Sequence, residues 1–360
     1  MTYPNNEITE VVDTIVDRVG IDTTTPAAVP DRDLWAALAE AGFTAIGIPE
    51  NVGGSGGSMA DAVTLAAAAS AHGALTPVIE HTVLAGWLAA SAGFDVESAI
   101  ATIAVGDSRC ALGDSSEAMV IDGLVTGVVH ADMADVVVVL VEPAGSGSPQ
   151  LAVVSTSAQG ITVDERTDLI GATVTDLTFD STPVLFQAPS PIGIDELQTR
   201  AALAYSAVMA ASAGAIRDRT IRYVNERTQF GRPLSKFQAV QHRLAWLAAL
   251  TALCETAATA AVDASQSSST EAAQTAIAAA KTVASSSARE ITAAAHQLHG
   301  AIGFTAEHPL GRFTTSLWTW RDRYGSEQDW AQLLAAQILD DGTDVWDVIV
   351  GEHTDAGGNA

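Results

Sequence analysis

The apolar positions of this chain fall into three regimes. Between residues 6 and 19 they recur at helical spacing, with Ile8, Val11, Val12, Ile15, Val16 and Val19 set among charged residues, which predicts an amphipathic helix. A Thr/Pro/Ala linker occupies 23–30, and Asp31 is placed to cap a second helix carrying Leu34, Leu38 and Ala41 on one face. Residues 59–72 and 78–92 read as further helices. From about Thr102 the period changes: 136–141, 151–154, 160–163, 173–179 and 184–186 are β-branched or apolar runs bounded by Gly, Pro, Asp and Ser, with a turn over 143–149. From Pro191 the pattern is helical again, in long Ala-rich stretches over 194–225, 234–263, 270–299 and 326–339. Pro233 falls at a first-turn position that tolerates proline. Four long helices with short connections predict an antiparallel bundle. The fold class is therefore α+β: an N-terminal helical domain over 1–104, a small middle β domain over 105–189, a C-terminal four-helix bundle over 190–350, and a frayed tail over 351–360.

Composition narrows the function classes. A chain of 360 residues, 48% hydrophobic and only 5% aromatic, suits two or three domains of close-packed helices. Its net charge of -26 argues against nucleic acid or an anionic membrane as a partner and fits an acidic cytoplasmic protein. Cys110 and Cys254 stand far apart without CxxC spacing, so neither a disulfide framework nor a metal site is expected. The first residues lack a signal-peptide pattern. The Ala-rich run 201–215 is interrupted by Arg217, Asp218 and Arg219 too soon to span a bilayer.

Three stretches carry candidate chemistry. The Gly-rich segment 42–58 precedes a helix, where glycines can cradle phosphate. It has no GxGxxG after a strand and no GK[ST], so a turn that needs positive φ is the preferred reading. The second is Arg227-Thr228-Gln229-Phe230-Gly231-Arg232-Pro233-Leu234, followed by Phe237-Gln238. The third is Gln297-Leu298-His299-Gly300-Ala301-Ile302-Gly303-Phe304. A guanidinium fork matches phosphate oxygens in geometry and charge. Glycines at a helix end let backbone approach a ligand, or simply cap the helix.

With these motifs at this separation, and with helical, β and helical domains in that order, the chain resembles the acyl-CoA dehydrogenase family. The resemblance is strongest over 220–325 and in the Gly-rich segment. It implies FAD as cofactor, with Arg227 against the pyrophosphate and Gln229 and Phe230 flanking it, Gln238 lining the adenosine side, and Gln297, Leu298, Gly300, Ala301 and Gly303 approaching from a helix end. His299 reads as a packing residue. Family members assemble as dimers of dimers, and the bundle motifs of one subunit hold the adenosine and phosphate half of a neighbour's FAD.

Three departures qualify the resemblance. The family's catalytic glutamate precedes a glycine; here that position is Tyr324, before Gly325. A phenol with an ordinary pKa near 10 is a poor base for an α-proton. Glu327 and Asp322 are weak substitutes. The alternative base position on the first bundle helix reads Thr199-Arg200-Ala201-Ala202, without a carboxylate, while Asp195 and Glu196 suit the helix dipole. In the β domain, the ring-holding segments correspond to 110–115 and 127–135 and keep few of the family's residues. The tryptophans outside it, Trp87, Trp246, Trp318, Trp320, Trp330 and Trp346, read as packing.

The resemblance thus implies a subunit of an FAD-dependent acyl-CoA dehydrogenase, acting on an acyl-CoA thioester such as a steroid side chain. It would lend FAD contacts to a paralogous catalytic partner in an α2β2 assembly, and the partner's glutamate would remove the α-proton before hydride transfer to the flavin. Rivals are a self-sufficient dehydrogenase with Glu327 or Asp322 as base, a flavin monooxygenase-like relative, and a scaffold without catalytic function.

Overall fold

The computed structural model describes residues 6–25, 30–96, 99–106, 110–114, 119–142, 147–267, 269–340 and 346. The expected tail, most of the expected turn at 143–149 and Ser115 lie outside the described residues.

The N-terminal region is helical. Helix α1 (Asn6–Val19) buries Ile8, Val12, Ile15 and Val16, while Val11 faces out. It packs on α2 (Arg32–Glu40) and α3 (Met59–Ala71). Asp31 does not cap α2 with its side chain; its carboxylate instead accepts the Leu75 N–H at 2.6 Å, tying the entry of α2 to the exit of α3. Helix α3 carries the capping box, Ser58 with Asp61. Between them, the Gly-rich loop closes on an Ile48–Gly56 bridge, with Gly42, Gly47, Gly53, Gly56 and Gly57 at positive φ. A Cβ on Gly54 would sit 2.0 Å from the Ile48 carbonyl oxygen, so these glycines serve a tight turn.

The expected helix over 78–92 is a π-helical segment, Ile79–Ala85, running into α4 (Gly86–Ser91). Every residue of the π segment is buried, which carries Glu80 and His81 into the interior.

The middle region is two four-stranded sheets face to face. One has the order β1 (Ala101–Gly106), β4 (Val136–Val141), β5 (Gln150–Ser155), β8 (Phe186–Pro189), with β1 and β4 parallel and the other pairs antiparallel. The other is antiparallel, in the order β2 (Ala111–Asp114), β3 (Met119–Val129), β7 (Thr173–Pro183), β6 (Ile161–Thr167). Strands alternate their side chains between faces. Val137, Val139 and Val141 of β4 therefore meet Ile121, Val125, Leu177 and Phe179 between the sheets. Val136, Val138 and Leu140 join the helical core on the other side. Burial on both faces explains the unbroken apolar run of β4.

The C-terminal region is built on α5 (Ile194–Glu226), α6 (Gln238–Ser265), α7 (Thr270–His299) and α9 (Glu327–Asp340). A shorter helix, α8 (Leu310–Trp320), adds to these and carries Trp318 and Trp320. Helix α5 touches α3, α6, α7 and α8, and residues 201–215 of it are buried without exception. Alanine allows such close approach from all sides. Trp320 and Trp330 pack in the core as expected, but Trp246 and Trp346 are 54% and 66% exposed. Helix α6 is long and apolar enough to cross a membrane by length and composition, yet it packs along α5 and α7.

Candidate functional site

The two C-terminal motifs come together at one end of the bundle. Past the end of α5, Thr228–Gln229 and Arg232–Pro233 pair antiparallel around Phe230 and Gly231. Both central residues have positive φ, 52° and 79°, as a two-residue hairpin requires. Glycine takes this conformation freely; Phe230 does not, and its ring is 89% exposed. Backbone strain combined with an exposed aromatic is the mark of a residue held for contact with something else. Tyr223, one turn before the hairpin, donates its hydroxyl to the His299 carbonyl at 3.2 Å and stacks on the His299 ring at 4.4 Å. This clasp joins the end of α5 to the end of α7.

Arg227, Gln229, Phe230, Gln238, Gln297, Gly300 and Ala301 all lie exposed at this end. Among the described residues the Arg227 guanidinium has no carboxylate partner. Gly300 has positive φ and open space where a Cβ would stand. Leu298 and Gly303 differ, being buried. A Cβ on Gly303 would lie 2.9 Å from the His299 Cβ and 3.1 Å from the Leu310 Cδ2, so its smallness serves packing of the turn on α8. His299 is buried, its Nδ1 2.9 Å from the Ala295 carbonyl, and burial lowers its pKa. It is a neutral structural histidine.

Tyr324 lies elsewhere. It has φ 53°, its ring stacks on Tyr205 at 5.7 Å, and its carbonyl accepts the Trp330 Nε1–H at 2.9 Å. Burial, and then the Glu80 charge, hold its phenol well above the ordinary value, so phenolate is out of reach at neutral pH. Glu327 is in an ion pair with Arg321, and exposed Asp322 lies 3.5 Å from the Arg321 Nε. Neither lines the cavity of about 340 Å³ that Tyr324 shares with Arg323, Glu80, Val105, Gly127 and Val174.

The sequence reading missed what surrounds Tyr324. Tyr205 donates its hydroxyl to the Glu80 Oε1 at 2.6 Å. Arg323 reaches the Tyr205 oxygen at 3.2 Å, Glu80 at 3.7 Å and Asp168 at 2.5 Å. Burial works against the Arg323 charge, but Tyr205, Glu80 and Asp168 outweigh it and raise its pKa. Asp168 also accepts the backbone N–H groups of Ile170 and Ala172, and Arg312 donates to the Ile170 carbonyl at 2.8 Å. A lone acid in the apolar run 77–85 was the available signal for Glu80. On α5, Arg200 rather than a carboxylate occupies the alternative base region, and Glu196 accepts the Gly193 N–H at 3.4 Å. Of the expected ring-holding segments, Cys110 is buried, 111–114 form the edge strand β2, and His130 is buried and kept neutral by burial.

The two ends are far apart. Tyr205 and Arg227 are 22 residues apart on or just past α5, about 33 Å at 1.5 Å per residue.

Comparison with known proteins agrees with this geometry. The acyl-CoA dehydrogenase C-terminal domain family matches residues 197–327, and the acyl-CoA dehydrogenase N-terminal domain family matches residues 7–95. The acyl-CoA dehydrogenase IpdE2 of Mycobacterium tuberculosis is 30% identical over 281 residues, 78% of this chain and 78% of that one. This chain belongs to the acyl-CoA dehydrogenase family. The family is one of oxidoreductases and is in general FAD-dependent. Among solved structures, a Tcur3481-Tcur3483 steroid ACAD superposes with a TM-score of 0.83 at 24% identity, over 94% of this chain and 98% of that one. The ChsE4-ChsE5 complex from Mycobacterium tuberculosis gives 0.79 at 22% identity, over 94% and 99%. These two likenesses show the fold. The unpaired Arg227 and the open backbone at Gly300 fit the anionic half of FAD at the motif end. Among the described residues, the carboxylates at the Tyr324 end, Glu80 and Asp168, are engaged by Tyr205 and Arg323.

Proposed function

We propose that this chain is the non-catalytic subunit of a two-component acyl-CoA dehydrogenase, lending FAD contacts to a paralogous partner in an α2β2 assembly. The observation that carries the reading is the separation of the two ends. The exposed cofactor-type residues begin about 33 Å along α5 from Tyr205, on which Tyr324 stacks, so they serve a site other than the one this chain builds around Tyr324. In that own site Glu80, Tyr205 and Arg323 bond to one another, and Tyr324 stands where the family's glutamate is expected. In this reading Arg227 pairs with the pyrophosphate, Gln229, Phe230, Gln238 and Gln297 line the adenosine side, and the backbone at 300–301 closes on it. Leu298 and Gly303 support that turn from beneath. Bound FAD supplies the hydride-accepting chemistry, and the partner supplies the base and the acyl-CoA groove. The likeness to a steroid ACAD supports a steroid acyl-CoA thioester as the substrate class of this reading.

The test is flavin content and native mass of the chain alone and after co-expression with its partner. A colourless lone chain and a yellow complex with about one FAD per pair of chains are expected under a shared site. In that complex Arg227→Ala removes charge-assisted hydrogen bonds to phosphate and weakens FAD binding by about ten-fold or more. A yellow lone chain that oxidises acyl-CoA, or a complex whose FAD affinity is indifferent to Arg227→Ala, overturns the proposal.

A further inference from the structure

A second cavity lies away from both ends, between the starts of α3, α5 and α7 and the helix α4. It holds about 240 Å³, and its walls include Met59, Trp87, Arg200, Thr270, Gln274 and Ile277. Arg200 is its centre of charge. The guanidinium sits 3.6 Å over the Trp87 ring, donates from Nε to the Val83 carbonyl at 2.6 Å, and points Nη1 at the Met59 sulfur at 3.1 Å. Its Nη2 has no partner among the described residues. Glu196, one turn earlier on the same cavity wall, spends its Oε2 on the Gly193 N–H. Burial pulls the Arg200 pKa down to about 9, and no acid offsets it. The half-buried guanidinium stays charged at neutral pH with no carboxylate bonded to it among the described residues, so an anion entering the cavity meets a cation partly stripped of water. The amino ends of α5 and α7 lie on this cavity and add positive potential, which the carboxyl end of α6 at Ser265 partly offsets.

We propose that this cavity binds a small amphipathic carboxylate, its carboxylate on Arg200 and its apolar chain against Trp87, Met59 and Ile277. The apolar part of the wall, Met59, Trp87 and Ile277, favours a ligand with an apolar chain over an inorganic anion, while Thr270 and Gln274 offer further donors near the head group. The volume equals about eight water molecules, which suits a chain of roughly eight carbons. The site shares no residue with the motif end or with the Tyr324 cavity, so it stands or falls apart from the proposed cofactor role.

Octanoate titrated into the full chain by calorimetry tests it, with octanol and inorganic phosphate as controls. Saturable binding of octanoate at one site is expected, with neither control binding comparably. Arg200→Met, nearly the same shape without the charge, weakens octanoate by about ten-fold or more. Gln274→Trp fills the cavity from α7 and has the same effect; circular dichroism confirms that each variant is folded. Should Arg200→Met fail to fold, Gln274→Trp decides alone. No octanoate binding, equal binding of phosphate, or octanoate binding that survives cavity filling each overturns the proposal. Occupancy of the Tyr324 cavity would give the last of these results.

Discussion

At the residue scale, the decisive substitution is the tyrosine where a glutamate would be expected. Tyr324 is enclosed, stacked on Tyr205 and pushed away from ionisation. The acids nearest to it in sequence are committed to Arg321. In the assembled enzyme, Asp322→Asn and Glu327→Gln are therefore expected to leave kcat within about two-fold, measured by acyl-CoA oxidation; loss of turnover in either would restore that residue as a base. Arg323 is a different matter. It faces two buried acids, Glu80 and Asp168, and Arg323→Met leaves both without their cation. Such a change costs about 3–5 kcal/mol, read as a lower urea midpoint. An unchanged midpoint would mean that the Arg323 ion pairs contribute nothing to stability. Arg227 and the hairpin were legible in the sequence because their residues are contiguous. The Glu80–Tyr205–Arg323 network was not, because its hydrogen bonds join residues 125 and 118 positions apart.

At the element scale, legibility followed the strength of the periodic pattern. The Val run of β4 and the long Ala-rich helices showed themselves. Strand β3 did not, since Gly123 and Gly127 interrupt it and its register to β7 shifts twice. The π segment was invisible for a further reason: its extra residue per turn is set by what packs around it rather than by any pattern of its own. One consequence is a pH-sensitive joint. His81 Nδ1 accepts the Ala101 N–H at 2.9 Å, pinning the π segment to β1, and burial lowers its pKa from 6.5 to about 4. Above pH 6.5 both folded and unfolded states are neutral here and stability does not depend on this group. Below it the unfolded chain takes up a proton that the folded chain excludes, so stability falls until about pH 4. Between pH 7 and pH 5 the loss from this one group is about 2 kcal/mol. Urea unfolding at the two pH values should show it, and His81→Gln should flatten the difference. An equally steep fall in the variant would assign the acid sensitivity to other groups.

At the scale of the whole molecule, what the chain leaves uncovered matters as much as what it buries. Helix α6 packs one side on α5 and α7 and turns Trp246 and Leu253 outward, 54% and 51% exposed. They stand seven residues apart, two helical turns, and so on one face. Phe230 and Phe304 at the motif end are exposed at 89% and 74%. Exposed aromatic and aliphatic area of this kind marks an interface, and in the proposed assembly it would join partner binding to flavin binding. Placing a charge at the centre of such an interface strands it without water or a counter-charge on association, while costing little in the separated chain. Trp246→Glu together with Leu253→Glu should therefore preserve the helical circular dichroism signal of the chain. Its complex with the partner should fall apart in light scattering, and flavin should be lost with it. A complex of unchanged mass would place the contact surface away from α6. An intact flavin content in dissociated chains would separate cofactor binding from assembly and undo the shared-site reading.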